Sequence, residues 1–155
     1  MSMRLRRGQA MVESVFAVLV ISLIFFGLFY LSHLLTVKIL LDHAAARAAR
    51  ARAVGLNDFM CRKAARVAVT AVAGECRWPD YLDRDILLQR LPRYMESRDE
   101  AEAAGCLDFE YWYSLEVKPG EKTRVRMEFE CLDMPVALEG DYRIESHYRE
   151  YLIAP

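Results

Sequence analysis

The sequence lacks the short motifs that mark most enzymes and metal sites. It has no phosphate-binding glycine loop, no Gly-x-Ser-x-Gly turn, no His-Glu-x-x-His pair and no calcium-binding loop. Its histidines, His33, His43 and His147, are scattered, and none has a partner at the spacing of a metal ligand set. We therefore expect no catalytic residue, no metal and no cofactor.

The cysteines do not form a Cys-x-x-Cys pair, which argues against a zinc finger. An even number of cysteines in a small domain that faces an oxidising compartment favours one or two disulfides, and sequence alone leaves three full pairings open. Buried free thiols are the alternative, because cysteine is often simply a small buried apolar residue. The candidates are Cys61, Cys76, Cys106 and Cys131.

Acidic residues outnumber basic ones in the last third of the chain, which is rich in Asp and Glu. Arg4, Arg6 and Arg7 precede the first acid, so a chain without its first eight residues is distinctly acidic, although the formal net charge of the whole is −1. Because affinity for nucleic acid comes mainly from Lys and Arg at phosphates, we expect no nucleic-acid binding.

No charged residue occurs from Ser14 to Val37, and the run VFAVLVISLIFFGLFYL is apolar on all sides. As a helix this segment reaches roughly 36 Å, which exceeds a hydrocarbon core of about 30 Å. We therefore predict one membrane-spanning helix. A cleaved secretory signal, with residues 43–46 as its cleavage site, fits less well because its apolar core has about 7 to 15 residues. A plain single-pass anchor is the other alternative.

The most specific feature lies at the start of the apolar run, where Gly8 follows two arginines and Glu13 comes five positions later. A carboxylate inside a membrane helix costs about 2.5 to 3.5 kcal/mol and calls for a partner. Cleavage after Gly8 would create an ammonium at Gln9, four residues before Glu13 on the same helix face. The two charges would then compensate each other, within a subunit or between neighbours. A simple interfacial position for Glu13 is the alternative.

A basic leader ending in Gly, a glutamate at the fifth following position and a long apolar helix resemble the prepilins. The strings RRGQAMVES and DHAAARAARARAVG, on either side of the apolar run, are similar to the TadE-like pseudopilins of tight-adherence pilus systems. The resemblance implies that Gly8 ends the leader recognised by a prepilin peptidase, that Gln9 is the mature N-terminus, and that Glu13 is the assembly glutamate. Gln9 stands where many type IV pilins have a methylated Phe.

The same resemblance implies partners and a location. The partners are a prepilin peptidase, other pilins or pseudopilins that pack through the N-terminal helix, the inner-membrane assembly machinery and membrane lipid. The location is the cytoplasmic membrane, crossed once, with the C-terminal domain outside the cytoplasm and the subunit finally in an extracellular pilus that serves adhesion or secretion.

After Lys38 the chain is rich in Ala and Arg and has no Gly or Pro before Gly55, so the helix is expected to continue out of the membrane. A helix over residues 10–53 would be about 66 Å long. Ala44, Ala48 and Ala51 share one face, which predicts close approach of a neighbouring helix. Arg47 and Arg50 lie beside that face and could meet acidic groups of neighbours, anionic lipid or solvent.

These features predict a leader over 1–8, a membrane and assembly helix over 9–55 and a small soluble domain over 56–155. In that domain, Gly55 and Asn57 predict a helix end and a new N-cap. A second helix is expected over 59–74, a third over 83–91 that stops at Pro92, and a surface helix or loop over 97–105. In the third helix, the side chains expected to face inward are those of Ile86, Leu87 and Leu91.

Alternation of apolar residues predicts strands in the last third of the chain. Residues 107–117 and 125–131 are apolar at odd positions, so the two strands should pair odd with odd, which brings Glu116 near Arg124 and Arg126. A turn at Glu139 and Gly140 and a third strand over 142–153 complete the expected sheet. The predicted fold is α+β, with a long transmembrane helix leading to short helices packed on a three-stranded antiparallel sheet.

Function follows from the helix rather than from a catalytic site. Trp112 and the tyrosines could form a carbohydrate-binding surface, but at alternating positions they favour sheet packing. We expect a structural subunit, a minor pilin or pseudopilin, that acts by helix packing and charge compensation. The alternative is a membrane-anchored extracytoplasmic binding or catalytic domain with an uncleaved signal anchor.

Overall fold

The computed structural model describes residues 3–78, 84–118, 122–131 and 134–143, with the side chains of 3–10, 84 and 87 left undescribed. The chain separates into two compact units, Met1–Thr36 and Val37–Pro155. Helix α1 runs over Met3–Ala53 and contributes to both units. The N-terminal helix predicted from the Ala- and Arg-rich sequence is therefore confirmed as one continuous element.

The described residues of the first unit all belong to helix α1, and their side chains from Met11 onward are mostly exposed within this chain. Helix α1 is long and apolar enough to cross a membrane over Met11–Ala53, with a mean hydropathy of 2.6 in its most apolar window, which is 0% buried by the rest of the chain. A helix that is apolar all round and has no cover from its own chain requires an apolar environment.

In the second unit, the described residues form the C-terminal part of α1, three further α-helices and two sheets. Helix α2 spans Asp58–Ala68, α3 spans Arg84–Glu96, and α4 spans Glu100–Ala103. Strands β1 (Cys76–Trp78) and β2 (Asp108–Phe109) form a two-stranded sheet. Strands β3 (Glu116–Lys118), β4 (Lys122–Cys131) and β5 (Met134–Arg143) form a three-stranded antiparallel sheet in that order. The α+β fold with a three-stranded antiparallel sheet is confirmed.

The register of the main sheet agrees with the odd-to-odd pairing. Val117 pairs with Val125, and Glu116 lies directly opposite Arg126. The odd residues of β4 are all buried and its even residues are all exposed, so one face of the sheet is core and the other faces solvent. Glu116 nevertheless forms its ion pair with Lys118, at 3.2 Å, and Arg126 pairs with Glu128, at 3.0 Å.

The single strand predicted over the residues before Pro119 is wrong. The chain forms β2, then a short 3₁₀ helix over Glu110–Trp112, and only then β3. This turn buries Trp112, whose ring stacks on Tyr94 at 5.4 Å between centroids, and it leaves Tyr113 73% exposed. Burial of the larger indole against α3 therefore prevails over the alternating pattern, and β2 pairs instead with β1, a strand that the sequence did not predict.

The predicted turn at Glu139 and Gly140 is also wrong, because β5 continues through both residues and Gly140 pairs with Val125. Of the predicted third strand over 142–153, only Tyr142 and Arg143 lie within the described residues. Residues 119–121, between the two alternating segments, likewise lie outside them.

The helices differ from prediction at their ends. Helix α2 ends at Ala68 and is followed by a 3₁₀ turn over Thr70–Val72, with Gly74 at a φ of +78° after it. Helix α3 passes through Pro92 and ends at Glu96. Pro92 is exposed there, so the Leu88 carbonyl that loses its hydrogen bond is open to water. Leu91, expected to face inward, is 41% exposed, and Leu87 lies outside the described side chains.

Candidate functional site

Glu13 lies near the beginning of the apolar part of α1, and its side chain is exposed. Its apolar neighbours Val12 and Phe16 are 71% and 67% exposed, so no described side chain covers the surface around it. Among the described side chains no basic group lies within ion-pair distance of Glu13, and the arginines of the first eight residues are not among them. The carboxylate is therefore available to a group outside the described part of the chain.

Gly8 and Gln9 belong to the same helix, but their side chains lie outside the described set. Four residues separate Gln9 from Glu13, which corresponds to about 6 Å of rise along a helix and places the two on one face. An amine at Gln9 would therefore lie about one helical turn from the only acidic residue of the apolar segment.

The alanines predicted as a helix contact lie on the face of α1 that the domain covers. Ala44, Ala48 and Ala51 have exposures of 0%, 1% and 9%. The same face includes further fully buried residues, Val37, Leu41, Ala45 and Ala49. Within a single chain these small side chains already pack inside the fold, so they do not form an open surface for a neighbour. A close approach does occur at this face, but it is intramolecular.

The partner in that close approach is β5. A Cβ atom added to Gly140 would overlap the carbonyl carbon and oxygen of Leu41 and lie 2.5 Å from the backbone nitrogen of Asp42. The strand backbone therefore rests directly on the helix backbone, which only glycine permits. Gly140 in the sequence serves this contact rather than a turn.

Two charged residues of α1 join the helix to the same strand. Lys38 donates from Nζ to Asp42 Oδ1 at 2.8 Å and to the Glu139 carbonyl at 2.7 Å. Asp42 Oδ1 also accepts the backbone N–H of Asp141 at 3.1 Å. Because β5 is the last strand of its sheet, these bonds satisfy backbone groups on its open edge.

Sequence reasoning did not identify Lys38, Asp42 and Gly140 as a group. The signals were an acid four residues after a lysine on a helix and a glycine inside an otherwise regular strand. Neither pattern predicts the contact between α1 and β5, since the two segments are about a hundred residues apart along the chain.

The exposed face of α1 within the second unit is basic. His43, Arg47 and Arg50 are exposed and lie one helical turn apart in succession, with Ile39 66% exposed before them and Val54 79% exposed after them. Within the second unit, this face, rather than the alanines, is the part of α1 that other molecules can contact.

The four cysteines are free thiols in the structure. Cys61 and Cys131 are buried, whereas Cys76 and Cys106 are partly exposed. Burial raises the pKa of the Cys61 thiol and of the Cys76 thiol. Disulfides among the four stay a prediction. Among the described residues, no group of three or more His, Cys, Asp or Glu side chains is arranged to hold a metal ion.

Comparison with known families gives a match to the helix. Residues 8–50 match the family model described as TadE-like protein. The match begins at Gly8 and includes Glu13, Ala44 and Ala48, whereas Ala51 and the rest of the second unit lie beyond it. No curated protein and no solved structure matches the chain. The family match thus confirms the resemblance carried by the N-terminal sequence, and it shows that residues 8–50 are similar to TadE-like proteins.

Proposed function

We propose that this chain is a minor pilin or pseudopilin that is processed by a prepilin peptidase and then assembles into, or primes, a tight-adherence pilus. The observation that carries this proposal is the match of residues 8–50 to TadE-like proteins on a helix whose apolar part is uncovered and has Glu13 as its one acidic residue. Its partners are the prepilin peptidase, other pilins or pseudopilins and the inner-membrane assembly machinery.

The first step is cleavage between Gly8 and Gln9. Removal of the leader takes three arginines off the end of α1 and leaves an ammonium about one helical turn from Glu13. The processed subunit then stays anchored in the inner membrane, with the second unit on the extracytoplasmic side. Until assembly, lipid covers the apolar part of α1.

The second step is transfer of that helix from lipid to a bundle of similar helices. Packing among apolar helices covers the same surface that lipid covered, so the hydrophobic effect changes little. Charge therefore decides the register, because a carboxylate in an apolar environment is strongly attracted to the ammonium of Gln9 in its own chain or in a neighbour. The exposed basic face of Arg47 and Arg50 is the part of α1 outside the membrane that meets neighbouring molecules.

Mass spectrometry of the chain purified from cells with an active prepilin peptidase tests the first step. The expected result is a mature chain that begins at Gln9, and a Gly8→Ala variant should keep its full length in the same cells. Measurement without reductant also counts disulfides, because each one lowers the mass by two hydrogens. An N-terminus at Met1 or Met3 would contradict the proposal.

The competing function is a membrane-anchored extracytoplasmic domain whose helix is only an uncleaved anchor. It predicts that any apolar helix can replace residues 9–36 without loss of function. The proposal predicts the opposite, since an unrelated helix lacks both the cleavage site and Glu13. Replacement of those residues by an unrelated single-pass helix, followed by recovery of pili, separates the two.

A further inference from the structure

The solvent face of the three-stranded sheet is charged along its whole length. All five exposed side chains of β4 on this face are charged, and they lie beside exposed residues of β3 and β5. No residue of this face belongs to the TadE-like segment, and helix assembly through α1 gives it no role. The side chains concerned are Lys122, Arg124, Arg126, Glu128 and Glu130 of β4, Glu116 and Lys118 of β3, and Glu139, Asp141 and Arg143 of β5.

The two signs are separated along the strands. Among the described residues of this face, the end that contains Lys122 has four basic side chains and one acid: Lys118, Lys122, Arg124, Arg143 and Asp141. The rest of the face has four acids and one base: Glu116, Glu128, Glu130, Glu139 and Arg126. One end therefore has a net charge of +3 and the remainder a net charge of −3. Such a face repels an identical face in parallel orientation and attracts it in antiparallel orientation.

Ion pairs within the face leave one charge at each end. Lys122 pairs with Asp141 at 2.6 Å and Arg124 with Glu139 at 3.7 Å, in addition to the pairs of Glu116 with Lys118 and of Arg126 with Glu128. Among the described residues Glu130 and Arg143 have no ion pair. Arg143 lies opposite Lys122, and Lys122 is eight residues along β4 from Glu130. Arg143 and Glu130 are therefore roughly 27 Å apart.

The lengths of the side chains on this face differ between its two ends, as the charges do. Beside Glu128 and Glu130, strand β5 contributes Ala137 and Pro135, which are short and exposed. At the opposite end four of the five described side chains are long lysines and arginines. An antiparallel stack therefore lays the long basic side chains of one copy over the short residues and glutamates of the other.

We propose that this face is an interface between two copies of the chain, packed antiparallel so that Glu130 of each copy meets Arg143 and Lys122 of the other. The contact is isologous, since one two-fold rotation brings both pairs together. It goes beyond the assembly function and is independent of cleavage at Gly8. Because its charges are exposed, the contact is weak and salt-dependent, and it acts between domains that a shared membrane already keeps close.

Charge exchange at the two unpaired ends tests the proposal. The full chain is reconstituted in lipid vesicles in donor- and acceptor-labelled forms, and self-association is followed by energy transfer. Glu130→Arg alone and Arg143→Glu alone should each weaken association roughly three- to tenfold, since a two-fold contact counts each change twice. A mixture of one variant with the other, and the double variant with itself, should restore the wild-type level.

Glu96→Arg and Arg93→Glu are matched controls, because they reverse exposed charges on α3, which is not part of the sheet, and should leave association unchanged. Circular dichroism checks that each variant is folded. Raising NaCl from about 0.05 M to about 0.5 M should weaken the self-association of the wild type and not that of the single variants. Single variants that associate like the wild type, or a mixture no stronger than its components, would overturn the interface and leave the role of the N-terminal helix untouched.

Discussion

Gly140 of β5 lies against the backbone of Leu41 in α1 so closely that no side chain fits between them. This contact, with the Lys38 and Asp42 hydrogen bonds on either side of it, fastens the sheet to the helix at the first charged residue after the apolar segment. The domain is thus held at the beginning of the polar part of α1, within the second unit of the chain.

Gly140→Ala should destabilise this unit by at least about 2 kcal/mol, because the added methyl meets helix backbone that cannot move aside as a side chain could. Thermal unfolding of the purified full chain in detergent, followed by circular dichroism, measures the effect. Gly27→Ala is the matched control, since an added Cβ there has no heavy atom within 4 Å. Equal unfolding temperatures for the two variants would contradict the proposed close approach.

Asp42→Ala should cost more stability than Asp42→Asn. The alanine removes the acceptor for the Asp141 N–H and the partner of Lys38, whereas the asparagine keeps an oxygen for the N–H. We therefore expect the free energy of unfolding to fall by about 1 to 2 kcal/mol in Asp42→Ala and by roughly half of that in Asp42→Asn. Hydrogen exchange at the Asp141 amide should speed up in Asp42→Ala and change little in Asp42→Asn. Asp58→Asn, which breaks a more exposed ion pair with Arg52, is the control and should have a smaller effect on stability than Asp42→Ala.

Glu13→Ala should leave membrane insertion intact or improved and block incorporation into pili, because the carboxylate is unfavourable in lipid and useful only where an ammonium meets it. Glu13→Asp keeps the charge and should retain part of the incorporation. Immunoblots of sheared pili and of membranes from the same cells measure both steps. Normal incorporation of the alanine variant would remove the role assigned to this residue.

Lys63 should be a large contributor to the stability of the second unit. Its buried ammonium donates to the carbonyls of Met95 and Ser97 at 2.8 Å and 2.7 Å, and it lies 5.4 Å from the ring centroid of Tyr94. Lys63→Met leaves those carbonyls without their donor, and we expect a loss of about 1 to 3 kcal/mol, measured by chemical unfolding. An unchanged unfolding midpoint would contradict this.

The contribution of Lys63 to the stability of the second unit should depend on pH in a definite direction. Burial lowers the pKa of Lys63 below its ordinary value of 10.5, so the unfolded chain keeps this proton to a higher pH than the folded chain does. Stability from this group therefore rises as pH increases through the window between the folded pKa and 10.5. The stability difference between wild type and Lys63→Met should therefore grow as the pH rises toward 10.5, and a shrinking difference would refute the sign.

Much of the fold could be read from local patterns. The apolar run and the Ala- and Arg-rich stretch after it predicted α1, and the alternation in β4 predicted both its burial and its register with β3. These features have a period that matches one element and need no knowledge of distant residues. The match to TadE-like proteins lies in the same part of the chain, where spacing along one helix carries the information.

The errors share a different cause. Residues 106–118 alternate like a strand, yet the chain turns at Trp112 because its indole is buried against Tyr94. Gly140 resembles a turn residue, yet it lies within a strand because Leu41 is behind it. In both places a contact between segments distant in sequence prevails over the local preference.

By itself the sequence determined that this protein has an apolar helix with one carboxylate near its beginning and a basic segment ending in Gly8 before it, since hydropathy and charge along a single helix are local properties. Only the tertiary structure decided which face of that helix the domain covers and which stays open. The covered face is set by the position where β5 crosses α1. The alanines predicted to contact a neighbouring helix are buried because a distant part of the same chain packs on them.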